Sequence, residues 1–172
     1  MTPITPQRLS QVIALVDKED RHLIGVRQRL LGNDCAVAPA RLNELLADDV
    51  GIGRLESFGA KFGRMQGTVI DKLIPAVLSQ AGEPVAAAID NLGRMEQLEL
   101  IQSSDEWLEM RGLRNRLVHE YIDRPEDLAL ALELACRFSE QMHFDYSAIR
   151  NYAVNRLGAV PFKSGVIDGK TP

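Results

Sequence analysis

Apolar residues recur along most of this chain at spacings of three and four, the period at which an α-helix keeps one face turned to a core. Leu9, Val12, Ile13, Val16, Leu23 and Ile24 hold that spacing after Pro6, a residue suited to a helix's first turn, and Gly32 and Asn33 should end the element. Pro39 opens a short second helix carrying Leu42, Leu45 and Leu46. A third is expected over 53–79, with Phe58, Phe62, Met65, Val69 and Leu73 as its apolar stripe. AGEP at 81–84 breaks the chain, and a fourth helix should cover 84–98. Ser103 followed by Glu106 has the form of a capping box and starts a fifth helix. Asp123, Pro125 and Glu126 repeat that arrangement ahead of a last long helix, which carries Leu128, Leu132, Leu134, Ala135, Phe138 and Met142 and runs to 157. No segment shows the alternation of a strand, and no repeat is visible. The expected fold is all-α, a single-domain bundle of five or six helices over 1–157, followed by a poorly ordered tail at 158–172.

Two features disturb this regular pattern. Gly59, Gly63 and Gly67 fall four apart inside the third helix. Each costs about 1 kcal/mol relative to alanine there. Their shared stripe is a place where another backbone can approach; close helix packing is the simpler explanation and a ligand groove the alternative. The second feature is Arg114. At ~100° per residue, Trp107, Met110, Leu113, Leu117, Val118 and Tyr121 form one broad apolar face, and Arg114 projects within it. An unpaired guanidinium in a core is very costly. Either a buried carboxylate pairs with it, or this face borders a cleft or a subunit interface.

Composition narrows the function classes only slightly. The 172 residues suit one domain with a real core, and the net charge of −4 argues against broad, non-specific binding to a nucleic-acid backbone, though not against a small local site. Fifteen of the cations are arginine and five lysine, and arginine is the better residue for forked contact with phosphate. No apolar run approaches the ~20 residues needed to cross a bilayer, and MTPITPQRLS lacks the pattern of a secretory signal. A cytoplasmic protein with no membrane contact is expected. Cys35 and Cys136 are far apart without a CxxC spacing, and His22, His119 and His143 are isolated, so neither a disulfide nor a metal site nor a cofactor is expected.

The chemistry collects in RGLRNRLVHEY, residues 111–121. An arginine and a histidine five apart mean little, because this composition yields such a pair by chance roughly a quarter of the time. Requiring the asparagine after the arginine and the tyrosine two past the histidine lowers that to the order of one in several thousand. This string resembles the signature of HEPN-domain ribonucleases, and the metal-free RNA cleavage that the resemblance implies needs a group to take the 2′-hydroxyl proton, one to protonate the leaving 5′-oxygen, and positive charge for the phosphorane; its product is a 2′,3′-cyclic phosphate. Histidine titrates near neutrality and suits either proton transfer. Arginine stays charged and grips phosphate oxygens. The assignments are His119 to proton transfer, Arg114 to phosphate binding and transition-state charge, and Asn115 to orienting the substrate or His119. Arg111 and Arg116 would extend an RNA-contacting patch. Arg124 better suits a surface ion pair, Arg64 and Gln66 a solvated helix face rather than the lining of the cleft, and His143 a surface or core-edge position. On a straight helix Arg114 and His119 lie about 140° apart. Both reach one phosphate only if the helix ends or bends near Val118 or a second copy of the chain completes the site.

The string Arg114-Asn115-x-x-x-His119-x-Tyr121 in an all-helical chain resembles the R-N-x-x-x-H-x-Y signature of HEPN domains, in particular the HepT-type ribonuclease toxins of bacterial toxin–antitoxin pairs. FGAKFGRMQGTVIDKL is similar to the corresponding earlier helix, so the resemblance spans 50–157. Gly112, which weakens the helix just ahead of Arg114, departs from it. The resemblance implies a metal-independent endoribonuclease acting as a homodimer, with the motifs of both chains meeting in one cleft. It also implies a partner antitoxin, a minimal nucleotidyltransferase (MNT type) that adenylylates the motif tyrosine, here Tyr121; a phenol packed at the core edge is the alternative for that residue. The rivals are a non-catalytic HEPN-type partner subunit of a nucleotidyltransferase and a helical dimerisation protein whose motif makes an interface salt bridge.

Overall fold

A computed structural model describes residues 4–119 and 124–161, with 118 and 119 as backbone only. The helices are α1 (Pro6–Leu31), α2 (Pro39–Leu46), α3 (Asp49–Thr68), α4 (Ile74–Gln80), α5 (Ala88–Gln97), α6 (Ser104–His119) and α7 (Pro125–Arg156). A π turn at Val69–Leu73 joins α3 to α4 without a break, so these three pieces are one rod. Six rods and no strand make up the described residues, which is the all-α bundle that the apolar spacing predicts. None of these helices is long and apolar enough to cross a membrane.

The helix ends follow local chemistry. Thr5 caps α1 by accepting the Arg8 N–H at 3.2 Å, and Gly32, at φ 69°, turns the chain out of it. The third rod starts four residues earlier than expected because Asp48 caps it, its Oδ1 accepting the Gly51 N–H at 2.8 Å. Gly51 is also where α2 and α3 meet most tightly: a Cβ there would stand 2.0 Å from the Leu45 carbonyl oxygen and 2.6 Å from its carbon. Backbone cannot rotate aside as a side chain can. Gly51→Ala is therefore expected to pry open the α2–α3 corner at a cost of about 1–3 kcal/mol. The effect would appear as a lower urea midpoint with an unchanged slope.

Three termini differ from the sequence expectation. α5 begins at Ala88 rather than 84, because Asn91 clamps the extended segment before it: its Oδ1 accepts the Ala86 N–H at 2.8 Å and its Nδ2 donates to the Ala86 carbonyl at 3.0 Å. Ser103 does cap α6, accepting the Glu106 N–H at 3.3 Å, but the Glu106 carboxylate turns away to accept from Gln141 on α7, so the reciprocal half of the box is missing. Arg124, not Asp123, stands at the N-cap of α7, with no side-chain cap; Asp123 lies outside the described residues. The surface ion pair expected for Arg124 is present, to Asp127 at 3.9 Å.

α3 packs along α1 and against α6, and α7 closes the bundle over α1 and α6. Leu9, Ile13, Phe58, Phe62, Met65, Trp107, Met110 and Met142 form its centre, all fully buried. A polar clasp fastens α7 to α1. The Tyr146 hydroxyl donates to Asp17 Oδ1 at 2.5 Å and stands 3.1 Å from the Ile13 carbonyl oxygen, while Arg150 grips both Asp17 oxygens at 2.8 and 3.2 Å. Burial first, and then the Asp17 carboxylate, push the Tyr146 hydroxyl far above the usual phenol range.

Two expectations are overturned. Cys35 and Cys136 are disulfide-bonded, with Cα atoms 5.5 Å apart, tying the loop after α1 to α7. Their separation of 101 residues concealed the pair; the return of α7 across α1 creates it. The chain past 157 is also not loose from its first residue. Ala159 is buried with its N–H on the Ala153 carbonyl at 3.0 Å, and the Val160 N–H donates to Ser10 Oγ at 3.0 Å. The rest of the expected tail, 162–172, lies outside the described residues.

Candidate active site

The charge order of α6 matches its own dipole, with Asp105 and Glu106 in the first turn and Arg111, Arg114 and Arg116 toward its end. Trp107, Met110, Leu113 and Leu117 are buried as the apolar face predicts. Arg114, at the edge of that face, is exposed. Its aliphatic stem lies across α3 where glycine leaves room for it. A Cβ on Gly63 would fall 2.6 Å from Arg114 Nε, 2.8 Å from Cδ and 2.9 Å from Cγ, and one on Gly67 would fall 3.8 Å from Nη1.

The glycine stripe is thus a trough for an arginine side chain. It permits the packing of α6 on α3, through that side chain rather than by bare backbone contact. No carboxylate among the described residues pairs with Arg114. Of the two ways to accommodate a guanidinium here, the structure takes the open border and not the buried ion pair.

Asn115 and Arg111 are exposed on the flank of α6 that Arg114 borders, about 100° and 60° round the helix from it. Arg116 is not brought to this flank. It lies about 200° from Arg114 and lines a cleft of about 400 Å³ between α6 and α7, beside Asp127, Leu128, Leu130 and Leu134. α6 runs unbroken through Gly112, which is exposed with nothing within 4 Å of an added Cβ, and is described as far as His119. The weakness expected at Gly112 does not interrupt the helix, and where α6 stops lies outside the described residues. The His119 side chain and Tyr121 lie outside the described residues.

The remaining candidates separate cleanly. Gln66 is 2% exposed, so its expected place on a solvated face is wrong. It follows Met65 on the inner side of α3. Arg64 is exposed but faces α1. His143 is a surface residue, its Nδ1 2.8 Å from Asp20 Oδ2. Cys35, Cys136 and Glu140 cluster like metal ligands, but both thiols are consumed in the disulfide.

A second polar cluster escaped the sequence reading. Glu19 is 8% exposed and accepts the Thr68 hydroxyl at 3.0 Å through Oε1, while Oε2 has no hydrogen-bond partner among the described residues. Burial pushes its carboxyl up, and the Thr68 bond and the charges of Arg64 and Lys72 pull it partly back. A signal was available: Glu19 sits between Val16 and Leu23 at core spacing, a charge on an apolar stripe just as Arg114 is.

No protein-family model matches the chain, and neither the curated proteins nor the solved structures contain a match.

Proposed function

We propose that this protein is a HEPN-type, metal-independent endoribonuclease, the toxin of a toxin–antitoxin pair. The observation that carries the reading is Arg114: exposed, without a carboxylate partner among the described residues, its stem laid over Gly63, beside Asn115 and on the same helix as His119. A guanidinium held by its stem and free at its fork is set up to take two phosphate oxygens. In the proposed reaction an imidazole takes the 2′-hydroxyl proton, the 2′-oxygen attacks phosphorus, and the 5′-oxygen leaves with a proton, giving a 2′,3′-cyclic phosphate. Arg114 balances the added charge on the phosphorane. Two copies in a homodimer would supply Arg114 and His119 to one linkage from different helices, which removes the angular problem of a single α6.

In the same reading an MNT-type nucleotidyltransferase restrains the toxin. The Tyr121 phenol oxygen attacks the α-phosphorus of ATP, pyrophosphate leaves, and an adenylyl group fills the cleft.

Purified protein incubated with RNA in EDTA tests the proposal. Cleavage that disappears in both Arg114→Ala and His119→Ala, with the helical fold retained, is the expected result. RNA left intact by every form sinks the nuclease and favours a non-catalytic partner subunit of a nucleotidyltransferase.

A further inference from the structure

The disulfide has a carboxylate for company. Cys136 and Glu140 are one turn apart on α7 and share a face of it, and the loop between α1 and α2 lays Cys35 against them. The two sulfurs and a Glu140 carboxylate oxygen all lie within 4.8 Å of one another. Ligand atoms of a tetrahedral zinc site stand about 3.5–4 Å apart, so opening the S–S bond leaves three donors close to that spacing. The cluster is reached from one side. Cys136, 2% exposed, forms its floor, while Cys35 is half-buried and Glu140 is exposed.

These donors do not depend on the disulfide for their meeting. Val37, two residues past Cys35, is buried, and its N–H donates to Glu133 Oε1 on α7 at 2.8 Å. Asp34 Oδ1 accepts the Ala36 N–H at 3.0 Å across Cys35, and Arg41 reaches back from α2 to the Leu30 carbonyl at 3.1 Å. The loop is therefore pinned to α7 and closed on itself by bonds that survive reduction. Once reduced, two thiols beside a carboxylate resist losing their protons, because like charges would crowd together, unless a cation joins them. Glu140 also has a support of its own. Arg27 Nη1 lies 3.8 Å from its Oε1 and donates to Ser139 Oγ at 3.2 Å, and the Arg27 side chain is mostly buried. A cation behind a ligating carboxylate orients it and offsets the excess negative charge of two thiolates and a carboxylate on one dication.

We propose that Cys35, Cys136 and Glu140 form a redox-gated zinc site. The disulfide shuts it. A dithiol reductant opens it: a thiolate attacks the Cys35 sulfur, the S–S bond breaks, two electrons and two protons pass to the cysteines, and the reductant leaves as a disulfide. One Zn²⁺ then binds both sulfurs and the Glu140 carboxylate, with water in the fourth position, and the two thiol protons go to solvent. A disulfide oxidant reverses the exchange, accepting the two electrons with two protons from water, and frees the ion. The sulfur donors select zinc over magnesium or calcium. Arg114, Asn115 and His119 take no part, so the site stands or falls apart from the nuclease reading.

Anaerobic titration of the full chain with Zn²⁺ against a chromophoric chelator tests the proposal, with free thiols counted to confirm reduction. The reduced chain should take up one equivalent at least ~100-fold more tightly than the oxidised chain. Zinc should also raise the melting temperature of the reduced form alone. Co²⁺ in its place should give the strong near-ultraviolet absorption of thiolate-to-cobalt charge transfer. Glu140→Gln should weaken zinc by about tenfold or more and keep that absorption, whereas Cys35→Ser combined with Cys136→Ser should abolish both. Equal zinc binding by the reduced and oxidised native chain overturns the proposal, and that comparison needs no variant. So does a disulfide that excess dithiol leaves intact in the folded chain. Zinc held undiminished by Glu140→Gln, or by the double serine variant, overturns it as well.

Discussion

On the proposed nuclease reading, Gly63→Ala is expected to lower RNA cleavage by about 100-fold or more while leaving the fold at least as stable as before. The added methyl would collide with the Arg114 stem at three atoms, the nearest 2.6 Å away. That stem is the flexible side chain of an exposed residue, so it moves and the helices stay. Alanine in place of a helical glycine contributes about 1 kcal/mol, enough to offset the lost packing. The prediction therefore separates site from scaffold: the guanidinium leaves its trough, and the bundle does not loosen. Gly112→Ala is the matched control. It lies on α6 near Arg114, but nothing stands within 4 Å of its built Cβ, so it should gain helix stability with cleavage unchanged. Cleavage rates and urea midpoints of the two variants, measured side by side, check the claim. Full activity in Gly63→Ala would mean that the seating of Arg114 has no part in catalysis.

That trough illustrates what a linear pattern can and cannot convey. The three glycines at four-residue spacing, and the arginine on an apolar face, were each visible as anomalies in the sequence. Their connection was not, because it depends on the rotation of α6 about its axis against α3, which core packing sets from residues far apart in the chain. The same holds for Cys35 and Cys136, which meet only because α7 returns across α1. Helix periods, by contrast, are local, and the six rods follow from them closely. Termini fail where a side chain overrides the simple signal: Asn91 holds 83–87 extended despite Pro84, and Asp48 starts α3 ahead of two glycines. Gln66 was misplaced for a related reason. A polar side chain on a helix suggests a solvated face, but the position of Gln66 on α3 turns it inward with Phe62 and Met65.

Trp107 fixes the rotation of α6, and its replacement should produce the largest stability loss of any residue on that helix. It is fully buried, and its indole N–H donates to Asp145 Oδ2 on α7 at 2.8 Å. Trp107→Ala should cost about 3–5 kcal/mol, and with it the register that carries Arg114, two turns further on, over Gly63. Trp107→Phe isolates the hydrogen bond and has a distinctive pH signature. Asp145 is 1% exposed; burial pushes its carboxyl up, and the bonds from Trp107 and the Gln102 N–H pull it partly back. A carboxyl whose folded pKa is raised contributes stability that is complete below its unfolded value, 3.8, and is lost as pH rises through the folded value. Phenylalanine removes a donor that favours the ionised form, so the folded value rises further and the loss, which still begins near the unfolded value, runs on to a higher pH. Relative to the parent, Trp107→Phe should be least damaging in acid and most damaging near neutrality, where a hydrogen bond to a charged group is worth about 1.5–3 kcal/mol. Urea midpoints at about pH 4 and about pH 7 measure the difference. An equal loss at both would mean that Asp145 is already protonated in the native bundle and that Trp107 holds α6 by shape alone.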